Sequence, residues 1–464
     1  MSMQETFELQ QQHALIWKNS TVKERRSLLK RFAEGLSKHE SALTEALRKD
    51  LNKHAFESII TEFALIYSEI KSVSDELGKW MRPKSPGINW ANPFSRSLLI
   101  PESKGVCLIL APWNYPVQLT LAPLVSCLAA GNTAILKPSE FTPHVSEALK
   151  HFVADTFHPK EVHVETGDAT VAQQLLALPF NHIFFTGSPA VGKKIMAAAA
   201  QHLTSVTLEL GGKSPVFIDE KYNLRDAAKK IVWGKVTNAG QTCIAPDYVL
   251  LPKGDAKTFA AHVQAEYEKR YCINGELNTE ECVSIVSEKH YNRLVDLVAS
   301  AKSAGTEVLF EGKSYPSSRH FGLTLLLNPK EELALSQEEI FGPILPIYEY
   351  HSAEEAVQFV RKKEKPLALY LFSTKRRKSA FFLFNTWSGG VTHNDVFLHL
   401  SDVRMPFGGA NFSGHGYSHG YFGYLEFTHL RAYVKAPRWF NTTALVYPPY
   451  KGREWLANLL RKFM

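Results

Sequence analysis

The fold is decided by five short runs of sequence: VCLIL (106–110), TAILK (133–137), VHVET (162–166), IFFTG (183–187) and SVTLEL (205–210). Each run is rich in apolar residues, and segments of helical length separate them. Strands that alternate with helices in this way are typical of βαβ units, which form a parallel sheet with helices on both faces. Ligands of such sheets bind beyond the carboxyl ends of the strands. We therefore expect the chemistry in the loops that follow these runs.

A second alternating region extends over residues 213–391, with strand-like runs such as ILPIYEY and helical segments at 224–236 and 257–271. This pattern predicts a second α/β domain. A Gly-rich run, PFGGANFSGHGYSHGYFG (406–423), leads from it to a strand-like HLRAYVKA (429–436).

Both ends of the chain predict helices. Residues 23–51 and 57–80 repeat apolar residues at helical spacing, and the Pro-rich segment 83–103 then breaks the pattern and ends in a strand-like run. The last 13 residues predict an amphipathic helix with one apolar stripe. This helix is too short to span a bilayer. We expect this tail helix to dock on its own or a neighbouring subunit, and a weak membrane-surface contact is the alternative.

Composition excludes several classes of protein. The chain has 464 residues, 45% of them apolar and 21% charged, which is typical of a globular protein rather than a disordered one. The net charge of +7 is scattered instead of clustered, so we expect no nucleic-acid partner. The N-terminal residues contain no secretory signal, which predicts a cytoplasmic protein. Residues 105–136 carry no charge, but their prolines favour strand, loop, helix and strand over a membrane span.

The five cysteines show neither paired nor Cys/His-clustered spacing, which argues against a disulfide framework and predicts no metal site. Cys243 follows Gly240 and precedes Pro246, which predicts a tight loop in which a thiolate could act as a nucleophile. A small buried hydrophobic role is the alternative. We assign that role to the other four cysteines, Cys107, Cys127, Cys272 and Cys282.

The fourth strand-like run leads into FFTGSPAVGKK, which places Gly187, Ser188 and Gly192 at a strand-to-helix turn. Such a turn can bind a phosphate through its backbone N–H groups, although, taken alone, it is more often a structural loop than a cofactor site. The spacing imitates a P-loop, but Lys194 stands where a Ser or Thr would hold magnesium.

Two further polar sites lie at or just after the carboxyl ends of strand-like runs. Lys137 and Glu140 come just after the second run, where doubly wound folds read the cofactor ribose. Because an acid favours NAD and a base tolerates NADP, the pair leaves the choice open, and a solvated surface pair is the alternative. Glu209 lies on the polar side of the fifth run, where partial burial would make it a general base. A surface or salt-bridged glutamate is its alternative.

Six motifs in order resemble the aldehyde dehydrogenase superfamily: PWNYP (112–116), KPSE (137–140), FTGS (185–188), LELGGKSP (208–215), GQTC (240–243) and EEIFGP (338–343). The short N-terminus and the PFGG motif followed by His-Gly resemble its class 3 and fatty aldehyde dehydrogenase branch. One departure is that Ser418, instead of Tyr, directly precedes His419. We expect this to alter local contacts and not the chemistry.

The resemblance implies a mechanism. Cys243 is the implied nucleophile, the Asn114 amide and the Cys243 backbone N–H hold the oxyanion, and Glu209 activates the water that hydrolyses the thioester. The implied cofactor is NAD or NADP, held by Lys137, Glu140, Gly187, Ser188, Gly192, Glu339 and Phe341.

The resemblance also implies a fold and partners. We expect a Rossmann-type cofactor domain (1–82 and 104–208), an α/β catalytic domain (209–392), a Gly-rich return segment (393–424), a small β oligomerisation arm (83–103 and 425–446) and a C-terminal tail helix (447–464). The implied assembly is a homodimer. The implied substrates are medium- or long-chain aliphatic aldehydes or aromatic aldehydes. A dehydrogenase that acylates coenzyme A, a P-loop nucleotide-binding protein and a catalytically silent relative are the alternatives.

Overall fold

The computed structural model describes residues 1–88, 94–441, 444 and 447–463. Its α-helices are α1 (Met3–Trp17), α2 (Val22–Leu51), α3 (Ala55–Ser58), α4 (Ala64–Trp80), α5 (Gln118–Ala129), α6 (Pro143–Thr156), α7 (Ala169–Leu176), α8 (Pro189–Ala200), α9 (Leu224–Val236), α10 (Ala256–Tyr271), α11 (Glu288–Ser303), α12 (Ala334–Gln337), α13 (Ala353–Arg361), α14 (Arg376–Asn385), α15 (Leu398–Ser401), α16 (Gly420–Glu426) and α17 (Glu454–Phe463). A π-helical turn, Ile59–Phe63, joins α3 to α4.

The β-strands are β1 (Arg96–Ser103), β2 (Val106–Leu110), β3 (Thr133–Lys137), β4 (Val162–Val164), β5 (His182–Gly187), β6 (Ser205–Leu210), β7 (Pro215–Ile218), β8 (Tyr248–Pro252), β9 (Cys272–Ile273), β10 (Glu276–Leu277), β11 (Glu307–Glu311), β12 (Thr324–Leu327), β13 (Ile344–Tyr350), β14 (Ala368–Phe372), β15 (Gly390–His393), β16 (Gly414–His415) and β17 (Thr428–Lys435).

The five predicted runs form the parallel part of a six-stranded sheet, in the order β16-β6-β5-β2-β3-β4. Only β16, from the Gly-rich run, is antiparallel to its neighbour. Side chains alternate along β2, so Cys107 and Ile109 pack with α2, α4, α5 and α6, and Leu108 packs on the other face with α1 and α8. The parallel α/β sheet predicted from the sequence is confirmed.

One detail of the sequence prediction was wrong. The third run forms a strand only over Val162–Val164, two residues fewer than predicted, although the Glu165 N–H still donates to the Leu136 carbonyl of β3. The uncharged stretch 105–136 forms strand, loop, helix and strand, as predicted, and Pro123 lies inside α5. The helix tolerates the missing N–H because α5 is buried on nearly all sides and its neighbours hold it in place.

The second predicted region forms a seven-stranded sheet, in the order β11-β12-β13-β8-β7-β14-β15. Apart from the antiparallel pair β11 and β12, its strands are parallel. The helix predicted at 224–236 is α9, with both ends as expected. The chain crosses from one sheet to the other directly after β6, so the carboxyl end of β6 lies at the junction of the two sheets.

The segments predicted as an arm pair with each other. β1 and β17 form an antiparallel ladder in which Arg96 lies opposite Lys435 and Ser103 opposite Thr428. β17 is exposed from its second residue to its last. The predicted tail helix is α17, and part of its apolar stripe lies outside the described side chains. Among the described residues, no helix combines the length and apolar composition needed to cross a membrane. The domain boundaries stay a prediction.

Candidate active site

Cys243 lies in a tight loop between α9 and β8, as the sequence predicted. A 3₁₀ turn, Thr237–Gly240, precedes it, with Asn238, Ala239 and Gly240 at φ values of 53°, 53° and 71°. A Cβ on Gly240 would lie 2.6 Å from the carbonyl of Gly342, so only glycine fits between the two loops there. Cys243 is partly exposed, while both of its sequence neighbours are buried. The fold therefore presents the thiol at the wall of a cavity.

Glu209 lines the same cavity as Cys243. Its side chain is 5% exposed, and neither carboxylate oxygen has a hydrogen-bond partner of normal geometry among the described residues. Burial raises the pKa of Glu209 well above that of an ordinary glutamate, the Ser418 hydroxyl offsets part of this rise, and the charge of Glu426 adds to it. The alternative of a surface or salt-bridged glutamate is therefore wrong.

The rest of the cavity is mostly apolar. Its apolar lining includes Tyr115, Leu119, Ala122, Ile244, Leu400 and Phe407. Its polar lining includes Ser126, Thr186, Ser418 and His419 as well as Glu209. A cavity that is mostly apolar with a few polar groups suits an apolar ligand that carries one reactive polar group.

Asn114 reaches the Cys243 loop from the segment after β2. It is 3% exposed, and its side-chain Nδ2 donates to the Gln241 carbonyl over 3.0 Å. An amide carries two N–H groups, so one remains for a further acceptor. Next to it, the Tyr115 hydroxyl and Thr242 Oγ1 are 2.8 Å apart. These contacts join the PWNYP motif to the GQTC motif.

The Cys243 thiol is held in its neutral form. Burial raises the pKa of Cys243 far above that of a free thiol, and the carboxylates of Glu339 and Glu209 raise it further. The backbone N–H groups of Cys243 and Ile244 act in the opposite direction. Burial also raises the pKa of Glu339, to about 8. Protonation of Glu339 near neutral pH thus removes part of the electrostatic opposition to a thiolate.

The predicted phosphate turn has the expected form. β5 ends at Gly187, Ser188 is the N-cap of α8, and the Ser188 hydroxyl accepts the Val191 N–H over 3.5 Å. A Cβ on Gly192 would lie 3.0 Å from Leu210, so α8 packs closely on β6. Helix N–H groups and the positive end of the helix dipole suit a pyrophosphate.

Lys137 and Glu140 form an ion pair 2.7 Å long beyond β3. The Lys137 side chain is 6% exposed and that of Glu140 is 38% exposed. The interpretation as a fully solvated pair is therefore wrong for Lys137. A buried cation held beside an accessible acid at the end of a strand suits the hydroxyl groups of a ribose.

Glu339 and Phe341 lie on a loop that other side chains fix firmly. Arg293 donates to the Glu339 carbonyl over 2.5 Å and to the Ile340 carbonyl over 2.8 Å. Asp247 accepts the Ile340 N–H over 2.9 Å and pairs with the buried Lys213. A Cβ on Gly211 would lie 2.0 Å from a Glu339 carboxylate oxygen. The loop of Glu339 and Phe341 therefore packs against Gly211, which directly follows β6 and is close to Glu209 in sequence.

Sequence reasoning missed these supporting residues. Lys213 is part of the LELGGKSP motif, which is the only signal that could have pointed to it. Asp247 and Arg293 lie in segments without a recognisable pattern, and their partners are far along the chain. Within the residues described, no group of three or more His, Cys, Asp or Glu side chains could hold a metal ion.

The Ser418 departure falls inside the cavity. Ser418 lines it beside Glu209, whereas Tyr417 is 44% exposed. The segment of Ser418 and Gly420 is anchored by Glu69 of α4, which is 1% exposed. Glu69 Oε1 accepts the Gly420 N–H over 2.7 Å and the Ser126 hydroxyl over 3.3 Å. The sequence predicted altered local contacts, and the structure places those contacts at the site itself.

Comparison with known proteins identifies the family. The family model described as "Aldehyde dehydrogenase family" matches residues 3–433. The chain belongs to the aldehyde dehydrogenase family. It is 39% identical over 430 residues to 4,4'-diaponeurosporen-aldehyde dehydrogenase of Staphylococcus aureus, covering 92% of each chain. It is 39% identical over 420 residues to human aldehyde dehydrogenase family 3 member B1, covering 90% of this chain and 88% of the relative.

A solved structure of Staphylococcus aureus AldH in a substrate-bound state superposes with a TM-score of 0.94, at 36% identity and with 99% of each chain covered. Family membership confirms the predicted oxidoreductase that acts on aldehydes with NAD or NADP, and the human relative agrees with the predicted class 3 branch. The P-loop and catalytically silent alternatives are set aside.

We predict that Glu69 makes the folded protein less stable as the pH rises. Burial raises the pKa of Glu69 to about 7, above its value in the unfolded chain. Between the two pKa values the folded chain keeps a proton that the unfolded chain releases, so the stabilisation present at pH 4 is lost as the pH rises through 7. Glu69→Gln cannot ionise, and its free energy of unfolding should fall less between pH 5 and pH 8, by on the order of 2–3 kcal/mol.

Urea unfolding at several pH values measures this difference. The control is Glu34→Gln, because the Glu34 side chain is 66% exposed and its replacement should leave the pH dependence unchanged. Equal losses of stability in the wild type and in Glu69→Gln would contradict the prediction.

Proposed function

We propose that this aldehyde dehydrogenase oxidises medium- or long-chain aliphatic or aromatic aldehydes to carboxylic acids through a thioester on Cys243, which water activated by Glu209 hydrolyses. The observation that carries the proposal is that a partly exposed thiol and an unpaired, buried carboxylate line one cavity with apolar walls. The nucleophile and the base that a thioester mechanism needs are thus in one compartment.

In the first step the neutral Cys243 thiol releases its proton to water, the thiolate adds to the aldehyde carbon, and the carbonyl oxygen becomes an oxyanion. The free N–H of the Asn114 amide and the backbone N–H of Cys243 hold that oxygen. These donors are already fixed before the substrate arrives, since Gln241 holds the Asn114 amide. Fixed donors aimed at developing charge lower the barrier without a cost of reorganisation.

The cofactor supplies the hydride acceptor when it is bound, which turns the Cys243 adduct into a thioester. Its pyrophosphate would lie at the turn formed by Gly187, Ser188 and Gly192, where the backbone N–H groups at the start of α8 would hold it. The Lys137–Glu140 pair fits the adenosine ribose, and Glu339 with Phe341 fits the nicotinamide end. Since both an acid and a cation are present, NAD and NADP both remain open.

Glu209 then takes a proton from the water that attacks the thioester carbon, and the acid leaves as the thiolate re-forms. A carboxylate with a raised pKa is a stronger base than an ordinary glutamate. Water is therefore favoured as the acyl acceptor over coenzyme A, which would need no such base.

The apolar wall supports the substrate class. Leu119, Ala122, Leu400 and Phe407 offer no polar partner for a small hydrophilic aldehyde. Three similar proteins point the same way, because one is named as a 4,4'-diaponeurosporen-aldehyde dehydrogenase and two are named as coniferyl aldehyde dehydrogenases.

The assembly stays a proposal as well. A homodimer is supported by β17, which exposes Leu430, Tyr433 and Val434 at 46%, 44% and 59%. Contact of the tail helix with a membrane surface is supported by Trp455, which is 64% exposed, and remains the weaker of the two expectations.

We predict that Glu209→Gln completes one turnover and then stalls. Acylation does not need the base, so NADH should appear in a burst equal to the number of active sites, whereas the steady-state rate should fall about 100-fold or more. Cys243→Ala should show no burst at all. The matched control is Cys282→Ala, which lies outside the cavity lining and should keep normal turnover.

Stopped-flow absorbance at the NADH wavelength separates burst from steady state. Normal steady-state turnover in Glu209→Gln would contradict the role of the base, and a burst in Cys243→Ala would contradict that of the nucleophile. If coenzyme A accelerated the wild type, the acylating alternative would replace hydrolysis.

We predict that kcat/KM rises with the length of a straight-chain aldehyde, by up to roughly fourfold for each methylene that the apolar wall buries. Leu119→Asn should flatten this rise and leave the shortest aldehydes nearly unaffected. The control is Leu203→Asn, since Leu203 is 94% exposed. A panel of aldehydes run with NAD and with NADP measures both preferences, and a flat chain-length profile in the wild type would contradict the proposed substrate class.

A further inference from the structure

We propose that a buried ion pair from the N-terminal helices, Lys53 and Glu62, positions Asn114 for catalysis. The proposal rests on the proposed function, in which Asn114 holds the substrate oxygen. Neither charged residue lines the cavity, so both act through the groups that they hold. They are positioning residues and do not take part in the chemistry.

The pair is completely buried. The side chains of Lys53 and Glu62 are both 0% exposed, and Lys53 Nζ lies 2.6 Å from Glu62 Oε1. The same ammonium group lies 4.3 Å from the centre of the Tyr115 ring and makes a long contact of 3.4 Å with the Asn114 carbonyl. The cation therefore touches two consecutive residues of the PWNYP motif.

The second oxygen of Glu62 fixes the helix that follows this motif. Glu62 Oε2 accepts the N–H of Val117 over 3.1 Å and that of Gln118 over 2.9 Å. These N–H groups belong to the start of α5, which has no side-chain cap of its own. A carboxylate at the positive end of a helix is favourable. Glu62 lies in the π-helical turn between α3 and α4, which brings its side chain to this point.

Asn238 joins the Asn114 segment to the Cys243 loop. Its side-chain Nδ2 donates to the Asn114 carbonyl over 2.9 Å and to the Gln241 carbonyl over 3.0 Å. The N–H of Asn238 donates to Glu57 over 2.9 Å, so the N-terminal helices hold this side of the site too. The left-handed backbone of Asn238 is what turns its amide toward both carbonyls.

Asn114 is thus held at two ends. Lys53 and Asn238 hold its backbone carbonyl, and the Gln241 carbonyl holds its side-chain amide. Gln241 is itself fixed, since its amide donates to the Ser284 carbonyl over 3.1 Å and accepts the Val286 N–H over 3.0 Å. One N–H of Asn114 is left with its direction fixed.

A role in positioning explains why charges are buried here. A buried ion pair stabilises a protein poorly compared with apolar side chains of the same volume, because desolvation offsets the attraction. Removing one partner is costly, however, because it leaves a buried charge without compensation. When a donor that must hold an oxyanion is displaced by about 1 Å, the rate of the reaction can fall about 100-fold. A buried ion pair is therefore expected where the position of a catalytic group matters more than the stability of the fold.

The test compares Glu62→Gln with the double variant Lys53→Met/Glu62→Gln. The single change strands the Lys53 cation and loosens the start of α5, and we expect the burst rate of NADH formation to fall about tenfold or more. The affinity for the cofactor, measured by fluorescence titration, should stay unchanged. The double variant removes both charges and should recover part of the lost rate.

The matched control is Arg25→Met, which removes a contact at the end of α5, whereas Glu62 binds the start of α5. Arg25 is a buried cation whose guanidinium donates to the Ala129 carbonyl over 3.0 Å, at the end of α5. Its replacement should lower the melting temperature and leave the burst rate unchanged. A Glu62→Gln variant that melts like Arg25→Met and keeps the wild-type burst rate would overturn the proposal.

Asn238→Gly provides a second test, should Glu62→Gln fail to fold. Glycine accepts the left-handed backbone, so the change removes the amide bridge and leaves the ion pair intact. We expect a slower burst with unchanged cofactor affinity, and an unchanged burst would overturn the proposal. Asn114→Ala separates the two levels of inference. If it retains the full burst rate, the proposed oxyanion role itself fails, whereas a slow Asn114→Ala beside a normal Asn238→Gly rejects only the positioning network.

Discussion

A buried carboxylate, Glu209, which has no hydrogen-bond partner of normal geometry among the described residues, is the constraint on which the rest of the site depends. Burying such a group is costly, and it persists only where the surrounding structure fixes it and function requires it. Here the carboxylate lies near the carboxyl end of β6 and lines the same cavity as a thiol from the loop between α9 and β8. The two groups meet only because both sheets and the loops between them are packed to fit.

That packing relies on close backbone contacts. Gly240 lies against Gly342, and Gly211 lies against the Glu339 carboxylate. A Cβ on Gly240 would push the nucleophile loop away from the loop of Glu339, and a Cβ on Gly211 would push away the segment that follows β6. Charged side chains buried behind these loops, such as Lys213 with Asp247, hold them from the other side. The positions of the reactive groups are thus set by the buried side chains and glycine contacts behind them.

Much of the fold follows from periodicity. The alternation along residues 205–210 predicted which face of β6 is polar, and the helices at 22–51 and 224–236 agree with their apolar spacing. Boundaries and exceptions do not follow, because they depend on neighbours: β4 ends early, and Pro123 remains helical inside a packed core. For the site, motifs pointed to Cys243, Glu209 and Asn114. Periodicity could not reveal that Lys53 and Glu62 meet behind Asn114, since their pairing depends on tertiary structure. The same holds for Ser418, whose place in the cavity no local pattern signals.

The central claim is that one sulfur atom is acylated during turnover. Peptide mapping by mass spectrometry tests it most directly, on the Glu209→Gln variant quenched in acid after mixing with cofactor and a long-chain aldehyde. The account predicts that the peptide containing Cys243 gains the mass of the acyl group, while peptides with the other four cysteines remain unmodified. Formation of NADH without any adduct on that peptide would contradict it.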